Sequence, residues 1–391
     1  KDTQHDITSV SASAATIMMG TGSDLRVSAL TVTSAADITM TGSADFINSN
    51  FSGGGVLTFT QNGKGDVNFS AITVENGFAY QGTGLGTGAT FSAVTISAGG
   101  NTGVSFNYGD GAFAFISAST IDTVGGFTIA GASLTTAEIA LTSISASAGV
   151  TINMGAAGGE LQISSVDSLG TFTMNASESS ALNFDVNTIS ASGVSITLGA
   201  ISAAADATRV SSINTDGLFT LNGGAYRERF DINDISAGTA TITFGDMADG
   251  FSASIINVES IAFNGGNGAN FSATIQDLNI SDGSGWNVSM AELGNGLTIN
   301  DLTFAKSGTI RGTLGTGTEG DSISASVNVT AATEATLNFY LGEDSIADSA
   351  QITNANANAS EGALYVRLHD FVAGTDGITT VGSAATVNAI N

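Results

Sequence analysis

The amino-acid sequence predicts an all-β fold, a single elongated β-solenoid (β-helix) of about 17 rungs with a repeat of roughly 20–26 residues. Three observations support this fold class: a two-strand unit that recurs from end to end, an abundance of glycine and the complete absence of proline. The 391 residues include 51 Gly and no Pro. Because proline removes a ladder hydrogen bond and is excluded from central strands, its absence indicates nearly continuous strand pairing.

Each repeat opens with a short strand whose apolar residues occupy its first, third and sixth positions. The step from first to third is the alternation of a β-strand, and the longer step to the sixth predicts a bend or bulge. Clear examples are Leu25, Val27, Leu30; Val67, Phe69, Ile72; Ile139, Leu141, Ile144; Leu161, Ile163, Val166; Phe230, Ile232, Ile235; and Leu297, Ile299, Leu302. We expect these side chains to fill the interior of the stack.

A second strand follows, with an apolar, a small polar and another apolar residue before a glycine. The glycines that close these strands are Gly42, Gly131, Gly199, Gly223, Gly245 and Gly342. Glycine adopts positive φ without a steric penalty, so each of these positions predicts a corner with positive φ. Segments of variable length and sequence, rich in Gly, Ala, Ser and Asp, then lead to the next repeat. The corners of a β-solenoid tolerate such variation, because insertions there do not disturb the stacked strands.

The repeat continues through the whole chain, and no change in composition divides it. The sequence therefore predicts one domain over residues 1–391, without an internal boundary. The apolar pattern is present at Ile7 and still present at Ile390, and neither end carries an amphipathic helix as a cap. Since unpaired end strands template association, we expect the terminal rungs, residues 1–24 and 345–391, to be assembly interfaces.

The charge balance excludes several classes of partner. Lys and Arg number 9 against 35 acidic residues, a formal net charge of −26. Nucleic-acid binding needs clustered basic residues that are absent, and an anionic membrane surface is disfavoured for the same reason. No apolar run is long enough for a membrane span. Without Cys, disulfides and zinc–thiolate sites are excluded.

Several repeats carry a carboxylate immediately before the first strand. The clearest are Asp24, Asp45, Asp66, Glu138 and Glu160. Carboxylates from adjacent turns that share one hard cation would form a calcium site, and calcium is the only cofactor that the sequence suggests. The alternative interpretation is that these acids are solvated corner residues that confer solubility. Stacked carboxylates repel each other, which favours a divalent ion between them.

A row of hydroxyl side chains is predicted on the outer surface of the second strands, if these strands stack in register. Its members are Thr39, Thr58, Ser105, Thr128, Thr173, Thr197, Thr220, Thr243 and Ser289. One interpretation is the preference of Thr for half-exposed strands. The alternatives are lateral contact between solenoids and recognition of an ordered surface such as ice.

Catalytic residues are sparse, and the sequence predicts that the protein is not an enzyme. His5 and His369 lie near opposite ends of the chain, which disfavours a Ser–His–acid triad or a histidine metal site. The basic cluster Arg227–Arg229, followed by Asp231 and Asp234, is interpreted as corner ion pairs. A polysaccharide-degrading β-helix would instead require acids and bases clustered along one groove.

The repeat style and composition resemble bacterial extracellular β-solenoids: surface-layer and filament subunits, adhesin stalks and autotransporter passengers. Gly20–Asp24 and Gly63–Asp66 also resemble the calcium-binding nonapeptide of repeats-in-toxin proteins, but the nonapeptide is not repeated in tandem. The resemblance implies an exported structural protein, located outside the cell or on its surface, that self-assembles into a filament or surface lattice. The alternatives are an adhesin or passenger stalk that binds a glycan or a surface, and a polysaccharide-degrading enzyme.

Overall fold

The computed structural model describes most of the backbone of this chain. The described residues are 3–85, 89–109, 113–131, 136–155, 158–176, 182–199, 208–224, 229–245, 250–265, 272–281, 286–290, 297–304, 308–312, 322–329, 335–340, 349–357, 364–369, 377–381 and 385–390. They form 29 β-strands and no helix, which confirms the all-β prediction. Within this part of the chain no helix could cross a membrane.

The chain divides into two compact units, Lys1–Gly193 and Val194–Asn391. The prediction of a single domain stays a prediction. In the first unit the strands that open the rungs are β1 (Thr3–Ala12), β3 (Ser23–Val32), β5 (Phe46–Gly53), β7 (Asp66–Val74), β9 (Thr90–Ala98), β11 (Phe113–Thr123) and β13 (Thr136–Ala146). The second strands are β2 (Ala15–Met19), β4 (Ala36–Thr41), β6 (Val56–Asn62), β8 (Gly77–Thr83), β10 (Val104–Tyr108), β12 (Phe127–Ala130) and β14 (Val150–Asn153).

Five longer strands each run through both positions of a rung. They are β15 (Gly158–Ala176), β16 (Leu182–Leu198), β17 (Thr208–Asn222), β18 (Arg229–Thr243) and β19 (Gly250–Gly265). Opening strands then resume with β20 (Ser272–Ile280), β22 (Leu297–Phe304), β24 (Ser322–Val329), β26 (Ser349–Ala357) and β28 (Gly377–Val381). Their second strands are β21 (Trp286–Met290), β23 (Gly308–Gly312), β25 (Ala335–Tyr340), β27 (Leu364–His369) and β29 (Ala385–Ile390).

Strand pairing in both units is that of a parallel β-solenoid. In the first unit each opening strand pairs in parallel with the opening strand of the next rung, from β1 to β15, and the second strands from β2 do the same. In the second unit the series runs from β17 through β18, β19, β20 and β22 to β28. The solenoid fold is therefore confirmed.

The length of the repeat agrees with the prediction except near the end of the chain. In the first unit partners are separated by between 20 residues, as for Thr3 and Ser23, and 26 residues, as for Phe78 and Val104. Leu337 and Val366, in β25 and β27, are 29 residues apart, so the predicted range of 20–26 is too narrow there. The predicted number of about 17 rungs is not confirmed by the described pairings and stays a prediction.

The opening strands bend where the sequence predicted a bend. The parallel register of β3 passes over Ser28, and that of β7 passes over Ser70, before pairing resumes one residue later. Both serines are exposed, whereas the apolar residue at the sixth position, Leu30 or Ile72, is fully buried. The unpaired fourth residue therefore resets the alternation and returns the next apolar side chain to the interior.

Aromatic rings occupy the interior of the first unit from β5 to β12. Phe106 contacts four of them, with ring centroids 5.0 Å from Phe91, 5.6 Å from Phe78, 5.7 Å from Tyr80 and 6.1 Å from Phe127. These separations lie within the range of favourable aromatic pairs. Contacts between consecutive rungs therefore link the core along the stack.

Two tyrosines bring hydroxyl groups into this aromatic core. The Tyr80 hydroxyl donates to Oε1 of Gln61 at 2.5 Å, and Nε2 of Gln61 donates to the carbonyl of Gly65 at 2.6 Å. The hydroxyl of Tyr108 is buried without a protein partner. Burial raises the pKa of Tyr80, and burial together with the nearby Tyr80 raises the pKa of Tyr108. Both hydroxyls therefore stay protonated at an alkaline pH at which an exposed tyrosine ionises.

Glycines at the start of the second strands form a column over four consecutive rungs of the first unit, from β8 to β14. Gly77, Gly103, Gly126 and Gly149 follow one another, and the amides of Phe78, Val104 and Phe127 donate to the carbonyls of Gly103, Gly126 and Gly149. A Cβ atom on Gly103 would lie 2.1 Å from the carbonyl oxygen of Gly126. Glycine is required here because a neighbouring backbone occupies the space of a side chain.

Of the corner glycines named from the sequence, only Gly42 has positive φ, although Gly63, Gly84 and Gly155, which follow β6, β8 and β14, have φ of 122°, 62° and 57°. Gly42 has a φ of 73°, whereas Gly131, Gly199, Gly223 and Gly245 are not among the glycines with positive φ, and Gly342 lies outside the described residues. At Gly223 the requirement is space, since a Cβ atom there would lie 2.4 Å from the ring of Phe244. The position next to it, Gly224, has a φ of 52°.

Asn48 occupies an interior position between Val27 and Phe69 of the adjacent rungs. It is buried, and neither its Oδ1 nor its Nδ2 atom has a hydrogen-bond partner. A buried polar group without a partner costs about 1–3 kcal/mol. We therefore expect Asn48→Val, which copies the residue one rung away, to raise the free energy of unfolding by about that amount.

The denaturant midpoint of purified Asn48→Val measures this change. The control is Asn50→Val, the same substitution at an exposed position of the same strand, and we expect its effect to stay within about 0.5 kcal/mol. A lower midpoint for Asn48→Val would show that Asn48 has a stabilising partner, such as a buried water molecule.

Candidate functional surfaces

The five predicted acidic residues lie in one column at the start of the opening strands, but in two groups. Asp24, Asp45 and Asp66 belong to three consecutive rungs. Glu138 and Glu160 are direct partners on β13 and β15. The two rungs between the groups contribute other residues to the column, Thr90 and Phe115. We call the five acids the acidic column.

The aspartates of the acidic column are hydrogen-bonded to the neighbouring rung. Oδ1 of Asp24 accepts from the amide of Asp45 at 3.3 Å, and Oδ1 of Asp45 accepts from the amide of Asp66 at 2.8 Å. Oδ1 of Asp66 accepts from the Thr90 hydroxyl at 2.7 Å. Each carboxylate therefore satisfies a donor at the corner of the next rung, a structural role that the sequence analysis did not foresee.

The calcium interpretation of the acidic column stays a prediction. The described part of the chain has no group of three or more His, Asp or Glu side chains placed to hold a metal ion. Glu138 and Glu160 lie one rung apart, about 4.8 Å, and Oε1 of Glu160 accepts from Nε2 of Gln162 at 2.6 Å. Carboxylates one rung apart in the column are therefore Asp24 with Asp45, Asp45 with Asp66, and Glu138 with Glu160.

The outward side chains of the second strands in the first unit form two parallel columns. One contains Thr16, Asp37, Thr58, Ala79, Ser105, Thr128, Thr151 and Thr173, and the other contains Met18, Thr39, Thr60, Gln81, Asn107, Ala130, Asn153 and Asn175. We call these two columns together the hydroxyl–amide face.

The single hydroxyl row predicted from the sequence is therefore partly wrong. Thr58, Ser105, Thr128 and Thr173 share the first column, but Thr39 lies in the second. In the second unit Thr220 pairs with Thr241, whereas Thr243 pairs with Asn222 and Asn264, and Ser289 follows Asn264. The partner of Thr197 is outside the described pairings. Residues two apart on a strand share a face but occupy different columns, and only the pairing register distinguishes them.

Acidic side chains are distributed unequally between the two kinds of strand. Among the described residues, the second-strand positions carry a single acid, Asp37. The opening strands of the first unit carry Asp6, Asp24, Asp66, Asp122, Glu138, Glu160, Asp167 and Asp185, and those of the second unit carry Asp231, Asp234, Asp277 and Asp301. In the first unit the surface of the second strands is therefore nearly uncharged, although the protein is strongly acidic.

Of the basic cluster Arg227–Arg229, the structure describes Arg229, which forms an ion pair. Nε of Arg229 donates to Oδ1 of Asp231 at 3.0 Å, on the outer surface of β18. The hydroxyl of Ser252, one rung away, also donates to this carboxylate oxygen. Arg227 lies outside the described residues, so its predicted corner ion pair stays a prediction.

The rung formed by β1 and β2 exposes the apolar interior of the stack. Ile7 is 39% exposed, whereas its partner one rung away, Val27, is 2% exposed. Met18 is 80% exposed. A surface depression of about 400 Å³ lies here, lined by Ile7, Ile17, Met18 and Leu25 among others. In the described pairings β1 pairs only with β3, and β2 only with β4.

No protein-family model, curated protein or solved structure matches this chain.

Proposed function

We propose that this chain is an extracellular structural protein, of the type of bacterial surface-layer and filament subunits, that assembles with further copies of itself. The observation that carries the proposal is the apolar surface that the rung of β1 and β2 exposes. Its side chain Ile7 lies in an interior column but is substantially exposed. The contact of another rung with β1 would bury this apolar surface and extend the parallel ladder.

Backbone geometry supports strand addition at β1. The amide of Thr3 donates to the carbonyl of Gly22, next to β3. Because successive residues of a strand point their amides in alternate directions, those of Gln4 and Asp6 point to the open edge. An edge with free donors and acceptors is a template for pairing with another chain.

An end-to-end contact of this kind is heterologous, because the edge of β1 meets a different surface of the next copy. Heterologous contacts that do not close into a ring generate filaments. The acidic composition, the absence of Cys and the low Lys and Arg content fit a protein exported from a bacterial cell. Calcium at the acidic column is part of the same proposal, as a cation that would relieve repulsion between stacked carboxylates.

The proposal is tested by Asp6→Pro, which removes an amide donor at the open edge. Proline is tolerated at the edge of a sheet, where its missing N–H would face solvent, so we expect this variant to fold and to lose end-to-end assembly. The matched control is Asp6→Ala, which removes the same charge and the same hydrogen bonds donated by Nε2 of Gln4 but keeps the backbone amide of residue 6. Negative-stain microscopy and sedimentation velocity measure the length of the assemblies.

We expect filaments or sheets for the unmodified protein and for Asp6→Ala, and short particles for Asp6→Pro. A uniform population of single copies for the unmodified protein, with and without calcium, would overturn the proposal. If a chelator shortens the assemblies of the unmodified protein, this result would support calcium binding at the acidic column.

A further inference from the structure

From the hydroxyl–amide face we infer a second interface, a lateral contact between two copies of this chain. This inference extends the proposed assembly from the end of the stack to its side. It does not depend on strand addition at β1, because the face consists only of second strands: β2, β4, β6, β8, β10, β12, β14 and the second half of β15.

Charge is the first argument for this face. The chain has a net charge of −26, so two copies repel each other wherever their opening strands meet. Of the sixteen positions of the face only Asp37 is charged. Depletion of charged residues distinguishes the centre of a protein interface from the remaining surface. The second strands therefore offer the surface on which copies approach with the least repulsion.

Hydrogen-bonding capacity is the second argument. A Thr hydroxyl and an Asn or Gln amide each both donate and accept, whereas a carboxylate only accepts. A face built from Thr58, Thr128, Gln81 and Asn153 is therefore complementary to a copy of itself. The acidic column, in contrast, is self-repelling. Self-complementary surfaces form the two-fold contacts that dominate among homo-oligomers.

The size of the face is sufficient for a weak dimer. The face is eight rungs high, with about 4.8 Å between rungs, and each strand is about five residues wide, with about 3.3 Å per residue. The product of these two dimensions is an area of roughly 600 Å² for each copy. Two copies would bury roughly 1,200 Å², the lower limit of stable protein interfaces. We therefore expect a reversible lateral dimer, which many contacts along a filament would reinforce.

The experiment places one carboxylate at either of two positions on the same rung. Thr128→Glu introduces the charge within the hydroxyl–amide face, on β12, two rungs from its last strand. Ser117→Glu introduces it on β11, at an exposed position of the opening strand. Both substitutions are made in the Asp6→Pro chain, so that end-to-end assembly does not contribute. Sedimentation velocity over a concentration series measures dimerisation, and circular dichroism confirms that each variant is folded.

We expect the Asp6→Pro chain to form dimers, and the same chain with Ser117→Glu to form them equally well. Adding Thr128→Glu instead should raise the dimer dissociation constant by about tenfold or more, because like charges at an interface are strongly unfavourable. The dimer should strengthen as salt is raised from about 20 mM to about 500 mM, since salt screens the repulsion between the acidic surfaces. If Thr128→Glu does not fold, Thr58→Glu on β6 takes its place.

Two outcomes would overturn the lateral interface: single copies at every concentration in the Asp6→Pro chain, or equal dimerisation of the Thr128→Glu and Ser117→Glu variants. Filaments of the unmodified protein would support the end-to-end proposal in either case, so the two proposals can fail independently.

Discussion

Gly103→Ala is expected to lower the free energy of unfolding of the first unit by about 3–5 kcal/mol, the range of the most disruptive single substitutions. Gly103 has a φ of 74°, a left-handed conformation that costs an L-residue about 1–2 kcal/mol. The larger contribution is steric, because the new Cβ atom would lie 2.1 Å from the carbonyl oxygen of Gly126. That oxygen accepts the amide of Val104 at 2.9 Å, so relief of the overlap would strain a ladder hydrogen bond.

Gly84→Ala is the matched control for this prediction. Gly84 has a φ of 62°, and no atom lies within 4 Å of the Cβ position. Only the conformational cost remains, and we expect a loss of about 1 kcal/mol. Thermal unfolding followed by circular dichroism measures both variants. Equal losses would contradict the steric argument and assign the role of Gly103 to its φ alone.

The solenoid could be predicted from the sequence because the interior repeats with a simple period. Leu25, Val27 and Leu30 recur in type from rung to rung, and the unpaired fourth residue, such as Ser28, explains the step from the third to the sixth position. The fourth residue is unpaired in each rung of the first unit for which a register is given. The local pattern of apolar residues therefore predicts both the opening strand and the bend within it.

The column to which each outward side chain belongs could not be predicted in the same way. Thr39 and Thr58 have similar local sequences, yet Thr39 is paired with Thr60. Register is fixed by interior packing over whole rungs, and the distance of a threonine from the following glycine does not reveal it. The uncharged second-strand surface was visible in the sequence as the rarity of Asp and Glu there, but its meaning depended on knowing which residues share a face.

The role of the aspartates was missed for a different reason. The sequence placed Asp24, Asp45 and Asp66 at equivalent corners, which the pairings confirm. It could not show that the carboxylate of one rung accepts the amide of the next. Such a bond depends on the path of the corner, which the variable turn residues determine.

Phe106→Ala is expected to produce the second large effect, a loss of about 3–5 kcal/mol, as for other buried Phe to Ala substitutions. Phe106 is fully buried and contacts four aromatic rings in neighbouring strands. The control is Val94→Ala, because Val94 is 57% exposed at the bend of β9, and its effect should stay within about 0.5 kcal/mol.

Native-state hydrogen exchange is the appropriate measurement for Phe106→Ala, because a repeat protein opens locally and each rung depends mainly on its neighbours. We expect amide protection in β8, β10 and β12 to fall by about two to four orders of magnitude, since each factor of ten corresponds to about 1.4 kcal/mol. Protection in β1 and β3, several rungs away, should change far less. A uniform loss of protection throughout the first unit would contradict this local coupling and show that the unit unfolds as one cooperative block.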